Sequence, residues 1–239
     1  MISFSSKYRS KQTEIMDNLD FGGVELHNLL NDLKVVNKLL GGNKATINGL
    51  KTILKNHPKN KEITILDIGC GDGEMLRICA NYGRKNDFIF KCIGVDFNRN
   101  ILNLAEEKSI NYSNIYFQKI DVLIEEDLIP KADITLFTLF LHHFENDNIE
   151  KLLKTSLNRT SKAIIINDLH RKKLAFILFK LFSKILLKTK TAYHDGLISI
   201  ARGFNKRELI SIADKIPNQR SIITWRWAFR YQWIMQKNL

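Results

Sequence analysis

The stretch Ile65-Leu-Asp-Ile-Gly-Cys-Gly-Asp-Gly73 is an apolar run that breaks into three glycines spaced two residues apart. This pattern predicts a buried strand that enters a tight turn and then a helix. Glycines in such a turn let backbone N–H groups approach a ligand that larger residues would exclude. The spacing G-x-G-x-G differs from the G-x-G-x-x-G of dinucleotide-binding turns, and Asp67 precedes the first glycine by two residues. The stretch therefore predicts a nucleotide-type pocket with a carboxylate at its floor.

Strand and helix patterns alternate on the carboxyl side of this turn. Continuous apolar strands separated by crossover helices form a parallel sheet that is covered on both faces. We predict strands at 63–68, 88–95, 115–120, 132–139 and 163–167, followed by an antiparallel pair at 221–227 and 230–235. The expected fold class is α/β, with a seven-stranded, mostly parallel sheet and helices on both faces.

Helical patterns flank the sheet at two places. Apolar residues spaced by three or four over residues 13–56 predict an N-terminal helical cap, assigned to residues 1–60. The α/β domain then covers residues 61–239. A second helical pattern at 172–190 falls within an insertion after the fifth strand. We assign residues 168–204 to this insertion and refer to it as the lid.

Aspartates follow three successive strands: Asp67, Asp96 and Asp121. Because the carboxyl ends of parallel strands meet at one edge, these side chains are expected to surround one crevice. Asp96 can accept hydrogen bonds from two ribose hydroxyls. Asp67 would stabilise an ammonium group but would repel a pyrophosphate, which favours S-adenosylmethionine (SAM) over NAD. The glycine stretch and these acids resemble motif I and its successors in the class I SAM-dependent methyltransferases.

This resemblance covers residues 61–167 and implies a Rossmann-like fold, SAM as methyl donor and S-adenosylhomocysteine (SAH) as product. It implies that the glycine turn holds the methionine end, Asp96 the ribose, and the residues after the second and third strands the adenine. The expected cofactor-binding residues are Asp67, Gly69, Cys70, Gly71, Asp96, Phe97, Asp121, Val122 and Thr138. No metal site is expected.

The fourth strand continues into Leu136-Phe-Thr-Leu-Phe-Leu-His-His-Phe144, which resembles the corresponding segment of small-molecule methyltransferases. The Asp/Asn-Pro-Pro-Tyr/Phe tetrad of base and glutamine methylases does not follow it. A narrower resemblance joins the chain to methyltransferases encoded beside type III polyketide synthases. The matching stretches are Glu14–Asp17, Asn167–Arg171, His194–Ser199, Ala201–Phe204 and Glu208-Leu209. This resemblance implies methyl transfer to a hydroxyl, or an activated carbon, of a hydrophobic phenolic, polyketide or quinone-like compound.

Two histidines are the candidate general bases for such an acceptor. His194 ranks first because the adjacent Asp195 can orient its ring, and His143 ranks second. Asp168 and His170 also follow a strand, although helix capping explains them equally well. Residues 174–187 combine a wide apolar face with a stripe of lysines. This segment is either a lid that covers a lipid-like acceptor or touches a membrane surface through residues 173–188, or a core-packed helix.

Composition limits the remaining alternatives. The formal charge of +12 and pI near 9.6 suit a nucleic-acid or anionic-membrane partner, yet a solvated basic surface is the simpler explanation and a nucleic-acid partner is not expected. The three cysteines form no metal-binding or redox pair, and no apolar run reaches the length of a membrane span. We expect a cytoplasmic enzyme, with peripheral attachment to a membrane as the alternative. An RNA or protein methyltransferase and a non-catalytic SAM-binding module are the alternatives.

Overall fold

The computed structural model describes residues 2–18 and 21–237. Within these ranges the chain forms one seven-stranded sheet with the strand order β3-β2-β1-β4-β5-β7-β6. The strands are β1 (Ile63–Ile68), β2 (Phe90–Asp96), β3 (Ile115–Lys119), β4 (Ala132–Thr138), β5 (Thr160–Leu169), β6 (Gln219–Arg226) and β7 (Arg230–Lys237). The first five strands are parallel, and β7 runs antiparallel to both β5 and β6. The predicted α/β, Rossmann-like fold class is confirmed.

Eight α-helices accompany the sheet in the described residues. They are α1 (Gly23–Leu39), α2 (Gly42–Leu54), α3 (Glu74–Lys85), α4 (Arg99–Lys108), α5 (Asn146–Arg159), α6 (Lys173–Leu186), α7 (Lys190–Arg202) and α8 (Lys206–Asp214). Short 3-10 turns at Ile15–Asp17 and Leu141–His143 lie next to the carboxyl edge of the sheet. Two apolar clusters, one on each face of the sheet, form the core.

Strand register explains why the predicted acids share one crevice. Asp67 pairs in register with Gly94 on β2 and with Leu136 on β4, so the ends of the three strands lie side by side. There is no room for a side chain at Gly94, because a Cβ there would lie 2.8 Å from Cys70 Sγ. The glycine turn therefore packs directly against the second strand.

The predicted strands begin and end within two residues of the observed ones except at the start of β5, and one helix was not predicted. The β5 strand begins at Thr160, because the Thr160 hydroxyl is buried and bonded both to the Thr135 hydroxyl and to the Ser156 carbonyl. Because the residues at this end of the strand are polar, a search for apolar runs does not detect it. The helix α7 was not predicted as a separate element, since its apolar residues are interrupted by His194, Asp195 and Gly196.

The N-terminal residues cross the carboxyl edge of the sheet. Leu26 and Leu30 of α1 pack against Ile101 at the start of α4, which follows β2. At the other end, the turn at 15–17 contacts α7 and reaches the residues that follow β4. We refer to residues 9–17 as the strap. The strap and α1 together span the crevice from the end of β2 to the end of β4.

The residues assigned to the lid form two helices, α6 and α7, and the segments that enter and leave this pair contact each other. His170 and Phe204 bridge in parallel, and Arg171 donates to the carbonyl of Gly203 at 2.6 Å. Arg171 also forms two hydrogen bonds to Glu208, at 2.9 and 2.6 Å. At the far end, Asp32 of α1 accepts hydrogen bonds from the α6–α7 connection. The lid is thus held to the sheet and to the N-terminal cap.

Candidate active site

Three left-handed glycines shape the turn after β1. Gly69, Gly71 and Gly73 have φ values of +70°, +54° and +76°, which other residues rarely adopt. A Cβ on Gly69 would lie 2.0 Å from the ring of Phe140, so this ring rests directly on the turn. Apart from Gly71 itself and its two chain neighbours, no atom of the described residues lies within 4 Å of the position of a Cβ on Gly71. The turn therefore presents backbone to an open space beside an aromatic ring.

Asp67 lies at the floor of the crevice, where one of its carboxyl oxygens lacks a partner. The residue is 1% exposed, and within residues 2–18 and 21–237 its Oδ1 has no hydrogen-bond partner. Burial, and then the nearby Asp96 carboxylate, raise the pKa of Asp67 well above its ordinary value. A buried carboxylate without a partner is costly, and a cationic ligand would remove that cost. The side chain therefore fits a site for an ammonium group.

Asp96 ends β2 and organises the backbone around it. Its Oδ2 accepts from the Gly71 N–H at 3.1 Å, and its Oδ1 accepts from the Asn98 N–H at 3.0 Å. Burial raises the pKa of Asp96, although these backbone bonds oppose the change. The carboxylate is positioned against the glycine turn with acceptor capacity left for hydroxyl donors. Phe97, which follows it, is half-buried.

The other predicted cofactor-binding residues differ in their burial and in their contacts. Cys70 points into the core against Gly94, so only its backbone faces the turn. Val122 is 8% exposed and belongs to a core cluster. The Asp121 Oδ1 accepts from the Leu123 N–H at 3.0 Å. The Thr138 hydroxyl lies 3.3 Å from that of Thr46 on α2.

His142 is buried between two carboxylates. Its Nδ1 lies 2.7 Å from Asp168 Oδ1, and its Nε2 lies 3.4 Å from Glu14 Oε1. Burial disfavours the imidazolium, but the Asp168 and Glu14 carboxylates outweigh this and raise the pKa of His142 to about 9. The protonated ring links the strap to the end of β5. His142 is therefore a structural cation and not a base.

His143 faces the strap and the glycine turn. Its Nδ1 lies 2.9 Å from Asp17 Oδ1, and its ring centroid lies 6.3 Å from that of Phe140. The side chain is 16% exposed. Arg202 donates to the carbonyl of His143 and lies 3.5 Å from Asp17 Oδ2. His143 is thus an oriented, partly accessible imidazole beside the ring that covers Gly69.

His194 lies on α7, next to the residue that contacts the strap. Its Nδ1 is 3.0 Å from Asp195 Oδ1, as predicted, and its side chain is 39% exposed. Asp195 also accepts from the backbone N–H groups of Ile15 and Met16, at 2.9 and 3.0 Å. Asp195 therefore anchors the strap, and the contacts of His194 do not connect it to the glycine turn.

Sequence reasoning missed the roles of Glu14, Asp17 and Phe140. Glu14 and Asp17 were noted only as part of a family-like stretch, and Phe140 only within the segment after β4. The contacts of Glu14 and Asp17 join positions more than 120 residues apart along the chain, and Phe140 meets Gly69 across 71 positions. Pattern along the chain carries no signal for such pairs. The only sequence signal for Glu14 and Asp17 was that two acidic residues lie three positions apart in a segment with no other assigned role.

Comparison with known proteins agrees with this geometry. Residues 65–162 match the family model described as "Methyltransferase domain". The chain carries a SAM-dependent methyltransferase domain. The matched stretch of this domain contains the glycine turn and both crevice acids, Asp67 and Asp96. No curated protein matches the chain by sequence.

Solved structures share the fold of this methyltransferase domain at low identity. The plantazolicin methyltransferase BpumL in complex with SAH is 16% identical, with a TM-score of 0.65 over 89% of this chain and 88% of that one. The magnesium protoporphyrin IX methyltransferase ChlM from Synechocystis PCC 6803 with bound SAH is 16% identical, with a TM-score of 0.56 over 84% and 87%. An O-methyltransferase family 2 protein from Planctomyces limnophilus in complex with apigenin is 14% identical, with a TM-score of 0.62 over 91% and 63%.

The residues present fit the SAM cofactor. The unpartnered Asp67 carboxylate suits the ammonium group, Asp96 suits the ribose, and the space at Gly71 admits the backbone contacts that the methionine end requires. No helix in the described part of the chain is long and apolar enough to cross a membrane.

Proposed function

We propose that this methyltransferase transfers the SAM methyl group to a hydroxyl of a hydrophobic small molecule, of phenolic, polyketide or quinone-like character. An activated carbon is the alternative acceptor atom. The narrower resemblance to methyltransferases encoded beside type III polyketide synthases belongs to this proposal. The observation that carries it is the covering of the crevice by the strap and α1.

The covering favours a small acceptor over a polymer. Arg9 donates to the carbonyls of His142 and Arg202, at 2.9 and 2.8 Å, and holds the start of the strap over the turn that follows β4. Asp195 holds its end. An RNA or protein chain needs an open groove, whereas a compact ligand can be enclosed. The half-buried Phe140 and Phe144, whose centroids lie 4.9 Å apart, offer an apolar wall for it.

The chemistry requires little from the protein beyond alignment. SAM supplies an electrophilic methyl group, and the acceptor oxygen must lose its proton as it attacks. His143 is the favoured general base because its ring lies beside Phe140 and the glycine turn, with Asp17 to orient it. The proton passes from the acceptor hydroxyl to Nε2 of His143, the ring nitrogen that does not contact Asp17. His194, ranked first from the sequence, is the second candidate.

Substitution of the two histidines tests this mechanism. We expect His143→Gln to lower kcat on the true acceptor by about a hundredfold, within the range of general-base catalysis. His194→Gln and the control His27→Gln, which changes an exposed histidine on α1, should retain most turnover. Comparable turnover in all three variants would show that alignment suffices. Mass spectrometry of compounds that copurify with the protein would identify the acceptor.

We further propose that α6 contacts a membrane surface from which such an acceptor is taken. Five of its apolar side chains are between 43% and 83% exposed: Leu174, Ile177, Leu181, Phe182 and Ile185. Lys173, Lys180 and Lys184 flank this face. The exposure argues against a core-packed helix, and a basic border beside an apolar face suits an anionic interface.

Two alternative functions can be distinguished from the proposed one by experiment. The basic composition motivates an RNA or protein acceptor, although the aromatic tail at 225–233 is used by the β6–β7 antiparallel pair. Steeply salt-dependent RNA binding would support that alternative. A non-catalytic SAM-binding module would bind SAM tightly but show no turnover on any extract.

A further inference from the structure

Arg230 is a buried cation that lacks a carboxylate partner. The residue is 2% exposed, and its Nη2 donates to Asn37 Oδ1 at 3.0 Å. Its Nε and Nη1 are buried without any hydrogen-bond partner, and Arg230 forms no ion pair within residues 2–18 and 21–237. Burial lowers the pKa of Arg230 to about 10, although the charge of Asp168 opposes the change. Leaving a buried guanidinium unpaired is costly, so its position requires an explanation.

The guanidinium faces the first turn of α2. A Cβ on Gly42, the first residue of this 13-residue helix, would lie 2.9 Å from Arg230 Cζ and Nη2. Gly41 at the N-cap has a φ of +67° and provides no capping side chain. The buried start of the helix and the guanidinium therefore bring several N–H donors together. Donors from an arginine fork and a helix N-terminus form an arrangement that binds anions.

This donor cluster lies at the same edge of the sheet as the glycine turn. Arg230 begins β7 and pairs in register with Leu169 at the carboxyl end of β5. Asn167 of β5 donates to the Gly42 carbonyl at 2.8 Å, which holds the start of α2 at this edge. Strands lie about 4.8 Å apart, so β7, three strands from β1, is roughly 14 Å from the glycine turn. One elongated small molecule can span that distance.

We propose that Arg230 and the first turn of α2 bind a carboxylate carried by the methyl acceptor. This inference rests on the proposed function, because it assigns the acceptor an acidic group at the end away from the methylated oxygen. A carboxylate matches the planar guanidinium, satisfies its unpaired N–H groups and is stabilised by the helix N-terminus. The acceptor class is then a hydrophobic phenolic acid.

The test compares two ligands that differ only by the carboxylate. Binding of a pentyl-substituted dihydroxybenzoate and of the corresponding pentylresorcinol is measured by calorimetry on the full chain saturated with SAH. We expect the acid to bind at least tenfold more tightly than the neutral phenol. Arg230→Gln should reduce this preference to less than twofold, while Arg230→Lys should retain part of it.

Control variants keep the result interpretable. Arg226→Gln changes the arginine that pairs in register with Arg230 but donates to Gln232, at 3.1 and 2.7 Å, and it should leave the preference unchanged. Asn37→Ala supplies a second variant, expected to weaken acid binding severalfold, if Arg230→Gln fails to fold. An equal affinity for both ligands in the wild type, or a preference that survives in Arg230→Gln, would overturn the proposal.

Two further outcomes separate this proposal from the function on which it rests. If chloride or phosphate raises the unfolding temperature through Arg230 but the acid has no preference, the site binds inorganic anions and the acceptor assignment is wrong. If SAH itself does not bind, the failure lies with the proposed function. SAH affinity should be unchanged in Arg230→Gln.

Discussion

We expect cofactor binding to depend most on the Asp67 side chain. Its carboxylate is buried without a partner at Oδ1, so an ammonium ligand gains an ion pair that Asn cannot form. We predict that Asp67→Asn weakens SAH binding at least about tenfold, or about 1.4 kcal/mol. Calorimetry measures this loss, and an unchanged affinity would contradict the assignment.

The same side chain predicts a pH effect on the ligand-free protein. Its pKa is raised in the folded state, so folding favours the protonated form. The unfolding free energy therefore falls as pH rises from the ordinary aspartate pKa through the raised one. Asp67→Asn should abolish this part of the decline and raise the melting temperature at neutral pH. Thermal unfolding across pH tests the sign, and a steeper decline in the variant would contradict it.

Gly69 and Gly71 form a matched pair for testing the turn. Both have positive φ, which costs alanine about 1–2 kcal/mol. Only Gly69→Ala adds a clash, with the ring of Phe140 2.0 Å from the new Cβ. We expect Gly69→Ala to lower the unfolding free energy by about 2–4 kcal/mol, more than Gly71→Ala does. Equal urea midpoints for the two variants would show that Phe140 does not rest on the turn.

The helix α6 predicts binding to anionic vesicles. Leu181→Asp with Ile185→Asp places charge on its exposed apolar face, and should lower the affinity for phosphatidylglycerol vesicles at least tenfold in a co-sedimentation assay. Ile110→Asp is the control, since Ile110 is 83% exposed but lies beyond the end of α4. Lys180→Gln with Lys184→Gln should weaken binding to anionic vesicles alone. No wild-type binding, or equal losses in the control, would contradict the proposal.

Elements were predictable where one property repeats along the chain. The bounds of β1 and the antiparallel pair at the end of the sheet follow from apolar runs and turn residues. The helix α7 could not be predicted, because Asp195, which holds the strap, interrupts its apolar pattern. Long-range contacts override local preference there, and a single sequence records no such contacts.

Across the whole molecule, more of the proposed cofactor side of the site than of the proposed acceptor side could be predicted from the sequence. Asp67, Asp96 and the glycine turn lie at ends of neighbouring strands, and strand order follows from the fold class. The proposed acceptor side is assembled from the strap, the turn after β4 and the start of β7. His143, Asp17 and Arg230 became candidates only when the fold brought these distant segments together.

Closure over the cofactor predicts a large stabilisation by ligand. At a hundredfold excess of SAH over its Kd, binding should add about 2.7 kcal/mol to the unfolding free energy. For a chain of this size that corresponds to a rise in melting temperature of about 5–10 °C. At the same concentration, a tenfold weaker affinity in Asp67→Asn leaves a stabilisation of about 1.4 kcal/mol, so its rise should be about half as large or less. Equal shifts in the two proteins would place the ligand outside the crevice.

Transfer of label from methyl-labelled SAM, in an extract of the source cells, tests methyl transfer to a hydrophobic small molecule most directly. The wild-type protein should move the label into the fraction that dissolves in organic solvent, and Asp67→Asn should move far less. Label that enters the RNA or protein fraction instead would contradict the account.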